Sequence, residues 1–263
     1  MKKNVLRDLL SAGKPTLSTR MVTTSPQIVE IIGHSGMFDF IELLGDYASW
    51  TVPDLDNFAR TVELFPHMSS QMKVEKEPRM FITQRALGAG IQNLLFADCD
   101  TAEEVEQCVR YVRPATPQDH GLHGSSMRRN IGYVLEDGSA EWAQAMRDVV
   151  IEVMIESDCA LEQLDEILAV KGVDMVHFGP NDYSLSVGKA GQRQSPEVRK
   201  QNRYVIETAL KTKVRPRVVI SSHEEAQEFV DMGVRDFCVG NDLGILYRWC
   251  TTNGAKMREL MGG

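Results

Sequence analysis

The chain has 263 residues and a formal net charge of −8, with 43% hydrophobic and 25% charged residues. These values are typical of a soluble globular protein with a large core, and an acidic chain without a basic cluster is not expected to bind nucleic acid. Five cysteines without a Cys-x-x-Cys pair favour reduced thiols over disulfides or a structural zinc site. No apolar run approaches the length of a membrane span, so we expect a cytoplasmic protein that does not bind a membrane.

Apolar, β-branched segments alternate with segments of helical periodicity along the chain. Eight strands are predicted, at residues 16–20, 38–43, 71–75, 93–96, 149–156, 173–182, 214–220 and 235–239. Helices are predicted at residues 27–33, 54–64, 79–87, 102–112, 158–171 and 223–232, with Thr101 and Ser222 as the N-caps of the fourth and the last.

Eight strand–helix units without a dividing linker predict one α/β domain over residues 1–263, a (β/α)8 TIM barrel with its site on the C-terminal face. A doubly wound open sheet is the alternative, weakened because no Gly-x-Gly-x-x-Gly follows the first strand. The irregular segment 113–138 is long enough to be functional. It follows a helix rather than a strand, so it starts on the opposite face, which favours a subunit contact over a lid.

Two carboxylates stand at the ends of neighbouring predicted strands. Glu156 ends the fifth predicted segment, and Asp182 ends the sixth, just past a sharp Gly179-Pro180 turn. A strand–helix–strand unit of this length makes the two strands parallel neighbours, so both side chains are expected on one rim. Two hard oxygen ligands there predict a divalent cation site. The alternative is a pair of solvated carboxylates, or an ion pair with a neighbouring arginine.

Other strand ends supply candidate groups for the same mouth. Arg20 ends the first strand, Asp46 and Tyr47 follow the second, and Lys73 lies in the third. The turn after the sixth strand directs the backbone amides of Asn181 and its neighbour towards the mouth, where they suit a small carboxylate.

These residues resemble the HpcH/HpaI family of class II, metal-dependent 2-keto-3-deoxy acid aldolases, which are related to 4-hydroxy-2-oxoheptanedioate aldolase. Residues 155–168 and 172–184 are similar to the family's I-E-T, L-x-x-I-L, G-V-D and G-P-x-D-L-S pattern, and a weaker likeness spans residues 13–246. The resemblance implies a pyruvate-type TIM barrel in which Glu156 and Asp182 bind Mg²⁺ or Mn²⁺. It also implies that the metal acts as a Lewis acid for the enolate of pyruvate, and that the backbone of Gly179, Pro180, Asn181 and Asp182 holds the substrate carboxylate.

The chain departs from the family pattern in the half of the site that handles protons. Where the family's F-D-W-x-x-I-D-x-E-H motif ends in a catalytic histidine, this chain has Tyr47, preceded by Asp46. No arginine stands near Lys73, where the family has one that contacts the keto oxygen. A phenol with a pKa of about 10 is a poor base at neutral pH. Tyr47 could therefore donate a proton, and Asp46 or an ordered water could act as the base. Arg20 or Lys73 could supply the positive charge that the family's arginine provides.

Three functions remain open at this point. The first is a metal-dependent aldolase (a carbon–carbon lyase) that cleaves a 4-hydroxy-2-oxo acid to pyruvate and an aldehyde. The second is an oxaloacetate-type decarboxylase, which needs no base for an alcohol. The third is a non-catalytic protein that binds 2-oxo acids after losing the histidine.

The resemblance also implies a homo-oligomer, a trimer or hexamer, with the C-terminal helices packed between subunits. Residues 243–261 are compatible with a helix that offers Leu246, Trp249, Met257 and Leu260 for burial. The alternative is that this helix closes the outer layer of its own barrel.

Overall fold

The computed structural model describes residues 2–262, and its centre is a closed barrel of eight parallel strands in chain order, with β8 paired to β1. This confirms the predicted (β/α)8 fold. The strands are β1 (Thr16–Met21), β2 (Phe40–Leu44), β3 (Ser69–Val74), β4 (Asn93–Phe96), β5 (Ile151–Ile155), β6 (Met175–Phe178), β7 (Arg215–Ile220) and β8 (Asp236–Asn241).

Helices surround the barrel. They are α1 (Val5–Ser11), α2 (Pro26–Ser35), α3 (Val52–Glu63), α4 (Arg79–Ala89), α5 (Ala102–Val112), α6 (Ala140–Asp148), α7 (Asp158–Glu162), α8 (Leu164–Ala169), α9 (Pro180–Ser186), α10 (Pro196–Ala209), α11 (Gln227–Met232) and α12 (Asp242–Leu260). Helix α1 precedes β1, α2 to α11 lie in the connections between successive strands, and α12 follows β8. Within residues 2–262 no helix is both long enough and apolar enough to span a membrane.

Local capping explains where several helices begin. The Thr101 side chain accepts a hydrogen bond from the amide of Glu104, which confirms the predicted start of α5. Ser222 makes no such bond, and the helix expected after it is a short 3-10 turn followed by α11. The helix predicted over residues 158–171 is two helices, α7 and α8, because Gln163 leaves helical geometry at φ −104°.

The main core lies between the barrel and its helices, whereas the interior of the barrel has a small apolar cluster of Leu6, Phe40, Val150 and Met175 and a charged layer. Arg217 Nη1 lies 2.5 Å from Glu42 Oε2 and 2.8 Å from Glu152 Oε2, and all three side chains are buried. Gln71 Nε2 also donates to Glu152 Oε2 at 2.9 Å. Since residues two apart on a strand share a face, Gln71 lies directly below Lys73, and this polar layer supports the groups nearer the C-terminal face.

Segment 113–138 begins on the N-terminal face of the barrel, as its position after a helix predicts. The Arg113 guanidinium donates to the carbonyls of Met146, Arg147 and Val149, which precede β5, and to the carbonyl of Gly172, which precedes β6. Its role as a subunit contact stays a prediction.

Candidate active site

Glu156 is held in a buried position directly after β5, with one oxygen bonded and one oxygen free. Its Oε1 accepts a hydrogen bond of 2.7 Å from the amide of Asp98. The residue is only 6% exposed, and its Oε2 is buried without a donor among residues 2–262. Burial raises the pKa of Glu156 to about 7, and the charge of Asp182 adds to this shift while Lys73 opposes it. A buried oxygen without a partner is costly unless a cation or donor binds there.

The turn after β6 is shaped around that free oxygen. A Cβ atom at position 179 would lie 2.6 Å from Glu156 Oε2, so glycine leaves the space that this carboxylate needs. Pro180 then begins α9, which places Asn181 and Asp182 in the first turn of the helix. Amides of a first turn have no acceptor within their own helix and remain available for a ligand.

Lys73 places a buried cation between the second and fifth strands. Its Nζ lies 2.6 Å from Asp46 Oδ2 and donates to the Tyr47 hydroxyl at 3.0 Å. Burial lowers the pKa of Lys73, but Asp46, Tyr47 and Glu156 raise it by more, so the ammonium remains charged. Lys73 and Glu156 each shift the pKa of the other, so the two groups lie near each other at the C-terminal face of the barrel.

Asp46 and Tyr47 share the loop after β2. Burial raises the pKa of Asp46, although Lys73 opposes the shift, and its Oδ1 has no donor among residues 2–262. Burial also raises the pKa of Tyr47 against the opposing effect of Lys73, so the phenol is protonated at neutral pH. The charge of Asp182 contributes to the Tyr47 shift, which links this loop to the turn after β6.

The carboxylate set at this mouth is small. Over residues 2–262 no group of three or more His, Cys, Asp or Glu side chains is placed to hold a metal ion. A divalent ion held by Glu156 and Asp182 would therefore complete its coordination with water or substrate, which is usual for Mg²⁺.

Comparison with known proteins decides the family. Residues 56–248 match the profile of the HpcH/HpaI aldolase/citrate lyase family. The chain belongs to this family. The predicted resemblance is thereby confirmed, and the aldolase and lyase activities of the family support an enzyme that acts on carbon–carbon bonds.

Three relatives in and around this HpcH/HpaI family illustrate the range of the likeness. The 5-keto-4-deoxy-D-glucarate aldolase of Shigella boydii serotype 18 is 26% identical over 245 residues, which cover 92% of this chain and 91% of that protein. The HpcH/HpaI aldolase of Desulfitobacterium hafniense DCB-2 is 25% identical, covers 98% of each chain and superposes with a TM-score of 0.87. The citrate lyase beta subunit of M. tuberculosis, solved with oxaloacetate and magnesium, shares the fold at 10% identity and a TM-score of 0.56, covering 88% of this chain and 93% of that chain.

The structure of this HpcH/HpaI family member separates the predicted site residues into two neighbouring groups. The first group contains Lys73, which contacts Asp46 and Tyr47. It also contains Glu156, whose charge raises the pKa of Lys73, and Asp182, whose charge raises the pKa values of Glu156 and Tyr47. The second group lines an adjacent cavity of about 350 Å³, which contains Arg20 together with Pro180 and Asn181 of the turn.

Three arginines of that cavity were not predicted as site residues from the sequence. Arg193 lies between α9 and α10, Arg217 lies in β7, and Arg248 lies in α12. No motif marks them, because they converge only when β7 and β8 close the barrel. Arg217 alone carried a signal, as a charged residue within the apolar run of β7.

Proposed function

We propose that this protein is a divalent-metal-dependent aldolase that cleaves a 4-hydroxy-2-oxo acid to pyruvate and an aldehyde. The observation that carries the proposal is the buried Oε2 of Glu156, which has no donor among the described residues and lies against Gly179. The charge of Asp182 raises the pKa of the same carboxyl group. The aldolase activity named for the Shigella relative supports the reaction class. The magnesium and oxaloacetate in the citrate lyase relative support the choice of ion and of an oxo acid.

Glu156 and Asp182 would hold Mg²⁺ or Mn²⁺ in this proposal. The residues suit such an ion, because carboxylate oxygens are its preferred ligands. No described residue donates a hydrogen bond to Glu156 Oε2, so this oxygen is available to the ion. When bound, the ion would act as a Lewis acid for the negative charge that develops on the oxo acid during cleavage. The first-turn amides of Asn181 and Asp182 would bind the carboxylate of the same substrate.

Lys73 would supply a fixed positive charge beside the substrate oxygen. A charge placed before the reaction begins stabilises a developing anion without reorganisation. The raised pKa of Lys73 keeps the amine protonated, whereas a Schiff-base nucleophile must be neutral. Lys73 therefore acts through its charge rather than through a covalent bond to the substrate.

Cleavage also requires that a base removes the proton of the C4 hydroxyl and that pyruvate gains a proton at its methyl carbon. Asp46 is the base in this proposal, because it is buried, is oriented by Lys73 and has an Oδ1 without a donor among residues 2–262. The proton that Asp46 takes from the C4 hydroxyl is then returned to the enolate carbon, which becomes the methyl group of pyruvate. Tyr47 is the hydrogen-bond donor that faces the departing aldehyde, because its phenol remains protonated. A positioned acid or base of this kind typically contributes about 10²–10⁴-fold to the rate.

Oxaloacetate decarboxylation is a second candidate function. The specific observation is Tyr47, whose raised pKa makes it a weak substitute for a histidine base. Loss of carbon dioxide from a 3-carboxylate needs no base for an alcohol, so the same oxo-acid site would support it.

The test measures hydrogen–deuterium exchange at the methyl group of pyruvate by NMR with Mn²⁺ or Mg²⁺, and then condensation with a panel of aldehydes. Glu156→Gln is expected to abolish both activities, and Glu162→Gln, on the exposed surface of α7, serves as the matched control. Exchange at the wild-type rate in Glu156→Gln, or no metal-dependent exchange and no condensation in the wild type, would refute the proposal. Oxaloacetate turnover without condensation would favour the decarboxylase.

A further inference from the structure

A cavity beside the oxo-acid site is lined by four arginines although the whole chain is acidic. Its walls come from the C-terminal ends of β6, β7, β8 and β1, from the connection before α10 and from α12. Pro180 and Asn181 belong both to this wall and to the turn that holds the oxo acid, so the two spaces adjoin. We call it the arginine cavity, after Arg20, Arg193, Arg217 and Arg248.

Three of these guanidinium groups have no carboxylate partner within the part of the chain that the structure describes. Arg217 is neutralised by Glu42 and Glu152 in the barrel interior. Among residues 2–262, neither Arg20 nor Arg193 forms an ion pair, and the buried Nε of Arg20 also lacks a hydrogen-bond acceptor. Arg248 donates to the Ser221 carbonyl at 3.1 Å and forms no ion pair with any described residue.

The charge of the cavity selects the class of ligand. One carboxylate, Glu225, lies in the wall and offsets one of the three unpaired guanidinium charges, which leaves two positive charges. The amides of Asn181, Asn202 and Asn241 add neutral donors to the same wall. A phosphate monoester carries about two negative charges at neutral pH and accepts several hydrogen bonds, whereas a carboxylate carries one charge. Guanidinium groups bind phosphate through paired donors.

We propose that the arginine cavity binds a phosphate monoester at the far end of the aldehyde half of the substrate. The proposal rests on the proposed aldolase function, since the oxo-acid site next to the cavity fixes the other end of the same molecule. Arg20 then acts in substrate specificity, and the positive charge beside the oxo acid is left to Lys73.

The first experiment measures anion binding and does not depend on catalysis. Inorganic phosphate is titrated by calorimetry into the wild-type protein and into Arg20→Met and Arg193→Met. Each variant is expected to bind phosphate about tenfold or more weakly. Arg60→Gln, which removes the same charge from exposed α3, is expected to bind like the wild type. Absence of phosphate binding, or equal binding by all four proteins, would overturn the proposal.

The second experiment measures selectivity among aldehydes in condensation with pyruvate. The ratio of kcat/KM for glyceraldehyde 3-phosphate to that for glyceraldehyde is expected to exceed about 100 and to fall in both arginine variants. A ratio near one would overturn the proposal, and so would a preference for the carboxylate-bearing succinate semialdehyde. Exchange at the methyl group of pyruvate is measured in parallel, because loss of exchange would count against the aldolase and not against the anion site.

Discussion

Lys73 is the cation that balances the carboxylates of the candidate site. It neutralises Asp46, donates to Tyr47 and lowers the pKa of Glu156. Where the family resemblance expects an arginine, we propose that the ammonium group of Lys73 supplies the positive charge from the same strand. Ammonium is a compact point charge, so it lacks the paired, planar donors with which a guanidinium binds a carboxylate.

Lys73→Met is expected to slow pyruvate exchange by about 10²–10³-fold, and Lys73→Arg to retain more activity because the charge is kept. Borohydride with pyruvate is expected to leave the wild type active, since a protonated amine forms no Schiff base. Lys213→Met, before β7 on the opposite face, is the matched control. A borohydride-trapped adduct on Lys73, found by mass spectrometry, would contradict this account.

His123 is a buried histidine that links pH to stability. It is 2% exposed, its Nδ1 lies 3.2 Å from the Tyr111 carbonyl, and its ring packs against Trp142. Burial lowers the pKa of His123 to about 4, with the Tyr111 hydrogen bond opposing the shift and Arg128 adding to it. The unfolded chain has a pKa of about 6.5 at this residue, so below pH 6.5 the unfolded state binds more protons than the folded state.

The free energy of unfolding is therefore expected to fall as the pH decreases from about 6.5 to 4, by about 2 kcal/mol at pH 5 relative to pH 8. Urea unfolding at both pH values checks this. His123→Gln is expected to lose that part of the pH dependence, whereas exposed His67→Gln keeps it. The same pH dependence in wild type and His123→Gln would show that His123 is not the cause.

At the scale of elements, buried charges join strands across the barrel interior, above an apolar layer that includes Phe40, Val150 and Met175. Arg217 of β7 lies between Glu42 of β2 and Glu152 of β5, and its guanidinium also lies 5.0 Å from the ring of Phe40. Such a network holds strands from different parts of the barrel in one register. Its net contribution to stability is small because desolvation offsets the attraction, but loss of one member leaves the others uncompensated.

Arg217→Met is expected to lower the free energy of unfolding by about 3–5 kcal/mol. Adding Glu42→Leu and Glu152→Leu to it is expected to recover most of that loss, because no buried charge then remains unpaired. Denaturant unfolding of the single and triple variants measures both effects. Equal stability of the two variants would contradict the role assigned to the pair of glutamates.

At the scale of the whole molecule, α12 begins at the barrel mouth and leaves its apolar residues uncovered. None of its residues is buried, and Tyr247 and Trp249 are 72% and 65% exposed. The alternative that α12 closes the outer layer of its own barrel is therefore wrong. Large exposed apolar patches of this kind mark sites of association, and we propose that α12 packs against other copies of this chain.

Sedimentation of the wild type is expected to give the mass of a trimer or hexamer. Leu246→Glu combined with Trp249→Glu is expected to produce monomers, because two buried charges would destabilise the contact. Lys256→Glu, on the same helix, is the control for charge change. A monomeric wild type would rule out this role of α12.

Short-range patterns predicted the order of strands and helices, since apolar alternation and capping act within a few residues. The same patterns erred where tertiary contacts intervene. Gln163 ends α7 early, and its side chain accepts a hydrogen bond from the amide of Ala102 on a neighbouring helix. Helices α6 and α10 were not predicted, although Ser139 and Ser195 cap them.

The sequence by itself determined the family, the alternation that closes into a barrel, and the positions of Glu156 and Asp182 at consecutive strand ends. These follow from periodicity and from motif spacing, which are properties of neighbouring residues. The tertiary structure decided that Lys73 rather than Arg20 accompanies the carboxylates, and that Arg20 meets Arg193 and Arg248 in a separate cavity. Those outcomes depend on strand register and on the closure of β8 against β1, because both bring together side chains that lie far apart in the chain.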